Sequence, residues 1–288
     1  MSCDLSRLDD AQRRLVTRWF GAVEQVHDLS WGVTDTVVLR LRTAGQDVVV
    51  KAGGPDNHHI GREISGHQDF LAGLASTGHA PVLLHHDRQA RVLATSWVPG
   101  ELVATHRAAG AADTYRQAGV LLARLHAVAA RIDGDWESAE RAKALAHLAG
   151  PHRIDADTEA RLRALLATHP TPPVRVVPTH GDFHPRNWVV EDGVVRLIDL
   201  GRAAWRPART DLARLAAGPF AGRPDLAEAF VAGYGHDLRD DEGWERTPVH
   251  EAIGTAVWAY RVGDAAFETQ GHRMIAEVLA AHDAHDAP

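Results

Sequence analysis

The run His180-Gly181-Asp182-Phe183-His184-Pro185-Arg186-Asn187, followed by Leu197-Ile198-Asp199-Leu200-Gly201, holds the residues best suited to chemistry. It sets an Asp, an Asn five residues later and a second Asp twelve residues after that. Transfer of a phosphoryl group from a nucleotide to a hydroxyl uses such a set. One carboxylate accepts the proton of the attacking hydroxyl, while a carboxylate and an amide oxygen hold Mg²⁺ on the phosphates. Asp182 is therefore the candidate base. Asn187 and Asp199 are the candidate metal ligands, in keeping with the preference of Mg²⁺ for hard oxygen donors. Each of the three alone reads as a turn or cap residue, and it is the joint spacing that argues for a site. Arg186, between base and ligand, is placed to stabilise charge on the transferring group. Between Asn187 and Asp199, two Val-rich runs flank Glu191-Asp192-Gly193, and Asp-Gly is a favoured hairpin turn.

Those residues need a scaffold, and the patterning supplies one. Residues 4–20 read as an amphipathic helix, with Leu5, Leu8, Leu15, Trp19 and Phe20 near one stripe. Five short β-prone runs follow, at 23–26, 36–42, 46–51, 82–86 and 91–97, separated by turn residues. Thr43-Ala44-Gly45 reads as a hairpin link, and one helix over about 58–76 interrupts the strands. Val98-Pro99-Gly100 breaks the chain. Helical patterns then dominate, over 112–131, 137–149, 156–168, 226–234 and 250–281. The expected class is α+β, with strands gathered near the N-terminus and helices after them.

Taken together, His-Gly-Asp-Phe-His-Pro-Arg-Asn-Trp and Ile-Asp-Leu-Gly-Arg-Ala resemble the aminoglycoside phosphotransferase and choline kinase-like family, over about residues 23–279. The spacing is also that of the protein-kinase catalytic loop and its metal-binding Asp. Gly181 stands where protein kinases usually carry Arg, and no Ala-Pro-Glu follows Asp199, which points to the small-molecule branch. The resemblance implies a bilobal protein-kinase-like fold. Residues 1–97 would form a nucleotide-binding N-lobe with a small antiparallel sheet and one helix. Residues 98–100 would be a hinge, and 101–288 a larger, mainly helical C-lobe with the catalytic loop and acceptor site. It also implies that Lys51, the only Lys before residue 100, pairs with the α- and β-phosphates, with Glu63 as its ion-pair partner. The loop over residues 28–35 would cover the phosphates, with Ser30 and Thr34 offering polar groups, although it holds one Gly and no G-x-G-x-x-G. A purine would read the hinge backbone at Ser96 and Val98, which leaves ATP and GTP both open. In the family the His equivalent to His180 packs beneath the catalytic loop.

The bulk properties fit a small-molecule enzyme. A chain of 288 residues with 45% hydrophobic and 24% charged residues has ample core for a large domain or two lobes. Its net charge of −7 disfavours nucleic acid and suits a cationic acceptor. The single cysteine, Cys3, excludes an internal disulfide and points to a reducing compartment, the cytoplasm. No apolar signal segment or membrane span is expected. The nineteen His residues are scattered without zinc spacing and read as surface or loop groups. The acceptor pocket is expected from the helices after Asp199. Candidates there are the acidic Asp237, Asp240 and Asp241, Asp264 on an apolar stripe, and Trp258, which could stack on a ring or cation. The family implies an aminoglycoside or similar antibiotic, and residues 257–267 also resemble the viomycin and capreomycin phosphotransferases. A metabolic kinase for choline, homoserine or an amino-sugar is the rival enzyme. A pseudokinase-like binding module is the rival of another class, and the intact set Asp182, Asn187, Asp199 and Lys51 argues against it. Either a monomer or a dimer is compatible with the sequence.

Overall fold

The computed structural model describes residues 5–32 and 35–286. Helix α1 (Asp10–Phe20) starts at a capping box, in which Asp9 accepts from the Gln12 N–H and Gln12 answers at the Asp9 N–H. Strands β1 (Gln25–Asp28), β2 (Val37–Thr43) and β3 (Gln46–Ala52) follow, then helices α2 (His59–Asp69) and α3 (Ala72–Ser76). Strands β4 (Leu83–Asp87), β5 (Val92–Ser96) and the short β6 (Glu101–Leu102) lead to helix α4 (Ala112–His126). Next come β7 (Arg131–Asp133), α5 (Trp136–Ala149), α6 (Ala156–Thr168), β8 (Val174–Thr179), β9 (Trp188–Glu191), β10 (Val194–Leu197) and β11 (Ala204–Arg206). The chain ends in α7 (Ala213–Ala217), α8 (Pro224–Tyr234), α9 (Arg246–Val262) and α10 (Ala265–Asp286). No helix among the described residues is long and apolar enough to cross a membrane.

The chain forms two compact units, each assembled from three separate stretches. The first comprises residues 1–128, 178–204 and 225–235. Its main sheet is antiparallel, in the order β1-β2-β3-β5-β4. The β2–β3 turn consists of Ala44 and Gly45, both with positive φ (45° and 78°), which matches the right-handed twist of a two-residue hairpin. Alternation along β2 and β3 turns Leu39, Leu41, Val48 and Val50 to one face, where Leu8 and Val16 of the N-terminal segment cover them. Ile60 and Ile64 of α2 pack with Leu93 in a separate cluster. Strands β9 and β10 form the expected hairpin, with Asp192 (φ 49°) and Gly193 (φ 78°) at its turn. Helices α4 and α8 approach so closely that a Cβ on Gly119 would lie 2.3 Å from the Phe230 carbonyl oxygen, and one on Gly233 would lie 1.9 Å from that of Arg116.

The second unit comprises residues 129–177, 205–224 and 236–288. Its core joins Leu148, Leu162, Leu166, Ile253, Val257 and Ile275 from α5, α6, α9 and α10. Glu137 is 1% exposed and is bound by both Arg209 and Arg246, the latter at 3.0 Å. A buried carboxylate is retained only with such partners.

Four helical runs differ from the patterning. The run over 4–20 is a helix only from Asp10, and that over 58–76 is two helices, α2 and α3, which part at Phe70 and Leu71. The run over 112–131 stops at His126, and Arg131–Asp133 instead pairs antiparallel with Val174–Val176. The run over 250–281 is two helices, α9 starting already at Arg246, because Gly263 takes a left-handed φ of 75° and Asp264 opens α10.

Candidate active site

Strand β3 presents Lys51 and helix α2 presents Glu63, each without help from the other's local sequence. Lys51 Nζ lies 2.7 Å from Glu63 Oε1 and 3.0 Å from Asp199 Oδ1, so one ammonium joins the sheet, the helix and the segment after β10. Burial opposes the charge on Lys51, but Asp199 and Glu63 outweigh it and raise its pKa. Lys51 in turn holds the Asp199 carboxyl below its ordinary value, while burial pushes Glu63 up against the pull of Lys51. Asp199 takes a left-handed φ of 66°, rare for a residue with a side chain. Its Oδ1 also receives the Gly201 N–H at 3.3 Å, which leaves Oδ2 as the oxygen on offer.

The residues of the loop over 180–187 lie in the same unit. Asn187 donates from Nδ2 to the Asp182 carbonyl at 2.8 Å, so the amide oxygen is the end left for a cation. Asp182 is mostly buried, and Arg186 donates to both its carboxylate oxygens, at 2.7 and 2.9 Å. His180 is fully buried beneath the loop. Its Nε2 donates to the Ile198 carbonyl at 3.0 Å and its Nδ1 accepts the Asp182 N–H at 3.3 Å. Phe183 packs on Trp188 and His180 and fixes the loop from below.

Several other residues picked from the sequence have protein partners. Ser30 accepts the Val38 N–H at its hydroxyl and donates its own N–H to Asp28, so it closes the β1–β2 pair. Thr34 lies outside the described residues. Ser96 donates its N–H to the Val82 carbonyl and accepts the Val82 N–H at Oγ, so its N–H is spent within the sheet. Val98 follows it as a buried residue. Asp237, Asp240, Asp241, Trp258 and Asp264 all belong to the second unit. Asp237 pairs with Arg239 at 2.6 Å, Asp241 with His236 at 3.2 Å, and Asp264 caps α10 by accepting the Phe267 N–H at 3.0 Å. Asp240 ends a short 3₁₀ turn and is exposed. Trp258 meets Phe267 edge to face. Of the histidines read as surface or loop groups, His67 and His169 are buried, while His180 lies buried beneath the loop as the resemblance implied and His126 is buried against Tyr234. Among the described residues no group of three or more His, Cys, Asp or Glu forms a metal cluster.

Two residues close to this site went unmarked in the sequence. His59 Nδ1 donates to the Gly201 carbonyl at 2.9 Å, and Asn57 accepts the N–H groups of His59 and Ile60 at the start of α2. An Asn just ahead of an apolar helical repeat was the signal for the second.

A buried Lys held between two carboxylates, beside an Asp–Arg pair and an oriented Asn on a kinase-like α+β fold, defines a phosphotransferase. The chain belongs to the phosphotransferase enzyme family, whose profile matches residues 25–249. Among solved structures it is similar to a macrolide 2′-phosphotransferase from Brachybacterium faecium, at 20% identity over 92% of this chain and 97% of that one, with a TM-score of 0.59. It is similar to a choline kinase from Streptococcus pneumoniae, at 16% identity over 94% and 100% of the two chains, with a TM-score of 0.69. It is also similar to the aminoglycoside phosphotransferase APH(4)-Ia, described as a ternary complex with ADP and hygromycin B, at 14% identity over 94% and 98%, with a TM-score of 0.64. No curated protein matches the chain.

Proposed function

We propose that this phosphotransferase moves the γ-phosphoryl group of ATP or GTP, as its Mg²⁺ complex, to a hydroxyl of a small cationic antibiotic of the aminoglycoside or cyclic-peptide type. The observation that carries the reading is Lys51 Nζ set between Glu63 and Asp199, at 2.7 and 3.0 Å, in the unit that also holds Asp182 and Asn187. A binding module has no need of that full set. Asp199 and Asn187 offer hard oxygens, the donor set Mg²⁺ prefers. Mg²⁺ held by these two residues would neutralise charge on the nucleotide phosphates. Lys51 adds a fixed cation for the α- and β-phosphates, and Glu63 keeps it in place. Asp182 takes the proton of the attacking hydroxyl. Arg186 orients the Asp182 carboxylate, and its remaining N–H groups stabilise charge on the transferring group. The purine reads the backbone around Val98, in a hinge over 98–100 between an N-lobe over 1–97 and a C-lobe over 101–288. The acceptor is drawn by Asp237, Asp240, Asp241 and Asp264 and stacks on Trp258. The enzyme works in the cytoplasm, as a monomer or dimer.

The second reading, a metabolic kinase for choline, homoserine or an amino-sugar, is favoured by the likeness to a choline kinase at a TM-score of 0.69. One experiment separates them. A sensitive strain expressing the chain is challenged with an antibiotic panel, and the purified protein is given Mg-ATP or Mg-GTP with each antibiotic and each metabolite. Mass spectrometry then reads which acceptor gains a phosphoryl group. Gain on choline, homoserine or an amino-sugar alone, with no resistance, would replace the antibiotic reading.

A further inference from the structure

We infer that Asn57 is a positioning residue for the reaction: it ties the end of the β1–β2 loop to helix α2 and to the end of strand β3. The inference rests on the proposed phosphotransferase reading for the meaning of the loop, and on geometry alone for the tie. Asn57 is 8% exposed, and all four of its side-chain bonds are inside the protein. Its Oδ1 accepts the N–H groups of His59 at 2.9 Å and Ile60 at 3.1 Å, which start α2. Its Nδ2 donates to Asp35 Oδ1 at 2.7 Å and to Thr36 Oγ1 at 2.9 Å. The amide orientation is forced, since backbone N–H groups only donate and a carboxylate accepts. A helix cap needs only the oxygen. The two bonds from the nitrogen reach residues 22 and 21 positions away and serve no cap.

The backbone around Asn57 is built to admit it. Strand β3 runs from Lys51 into Gly53 and Gly54. A Cβ on Gly53 would lie 2.5 Å from Asn57 Cβ and Cγ, and one on Gly54 would lie 2.9 Å from Asp35 Oδ2. Two successive residues without side chains thus make room for the Asn57–Asp35 pair. From Asn57 the connection continues along α2. His59 donates to the Gly201 carbonyl, two residues after Asp199, and Glu63 holds Lys51. The loop end, the Lys51 strand and the Asp199 segment are therefore fixed by one short stretch, residues 57–63. Asp35 and Thr36 held this way keep that end of the loop in register with Lys51 and Asp199, which lowers the ordering cost of binding phosphates.

The test separates the cap from the tie. Asn57→Asp keeps a good capping oxygen, removes the donor, and sets a carboxylate against Asp35. We expect the nucleotide KM to rise about tenfold, the fold-change of losing a charge-assisted bond. Acceptor KM and kcat should stay within about twofold. Asp35→Asn in the same chain restores the pair with donor and acceptor exchanged, and should return the nucleotide KM close to wild type. Asp35→Ala alone leaves the cap untouched and should raise nucleotide KM as well, which keeps the test intact if Asn57→Asp folds poorly. Hydrogen–deuterium exchange without nucleotide gives a readout free of turnover. Residues 28–32 and 35–38 should exchange faster in Asn57→Asp and recover in the double variant. Wild-type exchange and nucleotide KM in both single variants, or a double variant no better than Asn57→Asp, overturns the inference. Failure of the wild type to bind Mg-nucleotide would instead overturn the functional reading, with the exchange comparison still deciding the tie.

Discussion

His67 gives the sharpest quantitative prediction. It sits on α2 one turn beyond Glu63, is 7% exposed, and its Nε2 has no hydrogen-bond partner among the described residues. Burial, reinforced by the nearby Lys51 charge, lowers its pKa from 6.5 to about 4. A neutral ring therefore suits the fold and a charged one does not. Because the folded value lies below the unfolded one, the stability tied to the neutral ring is complete above about pH 6.5 and is lost as pH falls toward 4. At pH 5 the unfolded imidazole is almost wholly protonated and the folded one almost wholly neutral. The difference in proton binding then costs the fold about 2 kcal/mol relative to pH 8. His67→Leu removes the titration while keeping an apolar body of similar size. Urea unfolding at pH 8 and pH 5 on both proteins measures the effect. The variant should lose about 2 kcal/mol less than wild type between the two. His250, likewise lowered to about 4, titrates in both proteins and cancels. Equal losses in wild type and variant would refute the reasoning, since they would mean that His67 is protonated in the fold at no cost.

Three further outcomes are expected. Asp182→Asn should cut kcat on the order of 10²-fold or more while nucleotide affinity measured by titration calorimetry stays near wild type, and a near-normal kcat would remove Asp182 from the role of base. Gly233→Ala should destabilise the protein by about 3 kcal/mol, read as a lower thermal midpoint, because its Cβ would lie 1.9 Å from the Arg116 carbonyl oxygen. Acceptor KM should rise with salt and with charge-neutral changes at Asp237, Asp240, Asp241 and Asp264, leaving nucleotide KM unchanged, and Asp264→Asn should also cost cap stability because Asp264 accepts the Phe267 N–H. Acceptor KM unmoved in the Asp240 and Asp241 variants would make that run a solvated face.

The sequence carried much of the site because its chemistry is local. Asp182, Arg186 and Asn187 lie within one loop, and the Asp192-Gly193 turn fixes the short hairpin that follows. The strands of the main sheet were legible from alternation, and α6 from its helical period, since each buries one face of a regular element. What escaped was non-local or unpaired. Strand β7 is three residues long and exists only because β8 pairs with it, so Arg131 reads as the tail of a helix and the strand carries no signal of its own. The Gly263-Asp264 break carried both a helix stop and a helix start, yet a continuous apolar stripe masked it. Asn57 offers only a helix-cap signal and Asp35 and His59 none, because the rest of their meaning lies in partners 21 to 142 positions away. Ser30 and Ser96 are polar groups in the expected loop and hinge, but neighbouring backbone claims their hydrogen bonds, which no residue count reveals.

The interleaving of the two units bears on how the chain is made. A ribosome delivers residues in order, and the first unit is not complete until Gly235 has emerged, more than a hundred residues after its opening stretch ends at Val128. At about 5–20 residues per second, the sheet that carries Lys51 waits for roughly 7–28 seconds before α8 arrives to pack on α4. The second unit waits longer, since its core draws on residues up to Leu279. Neither unit exists as a continuous stretch that could be cut out and expressed alone. Selection on this chain therefore acts on a nascent sheet that must stay soluble while unfinished, and the helix laid over Leu39, Leu41, Val48 and Val50 by the first twenty residues shields it from the outset.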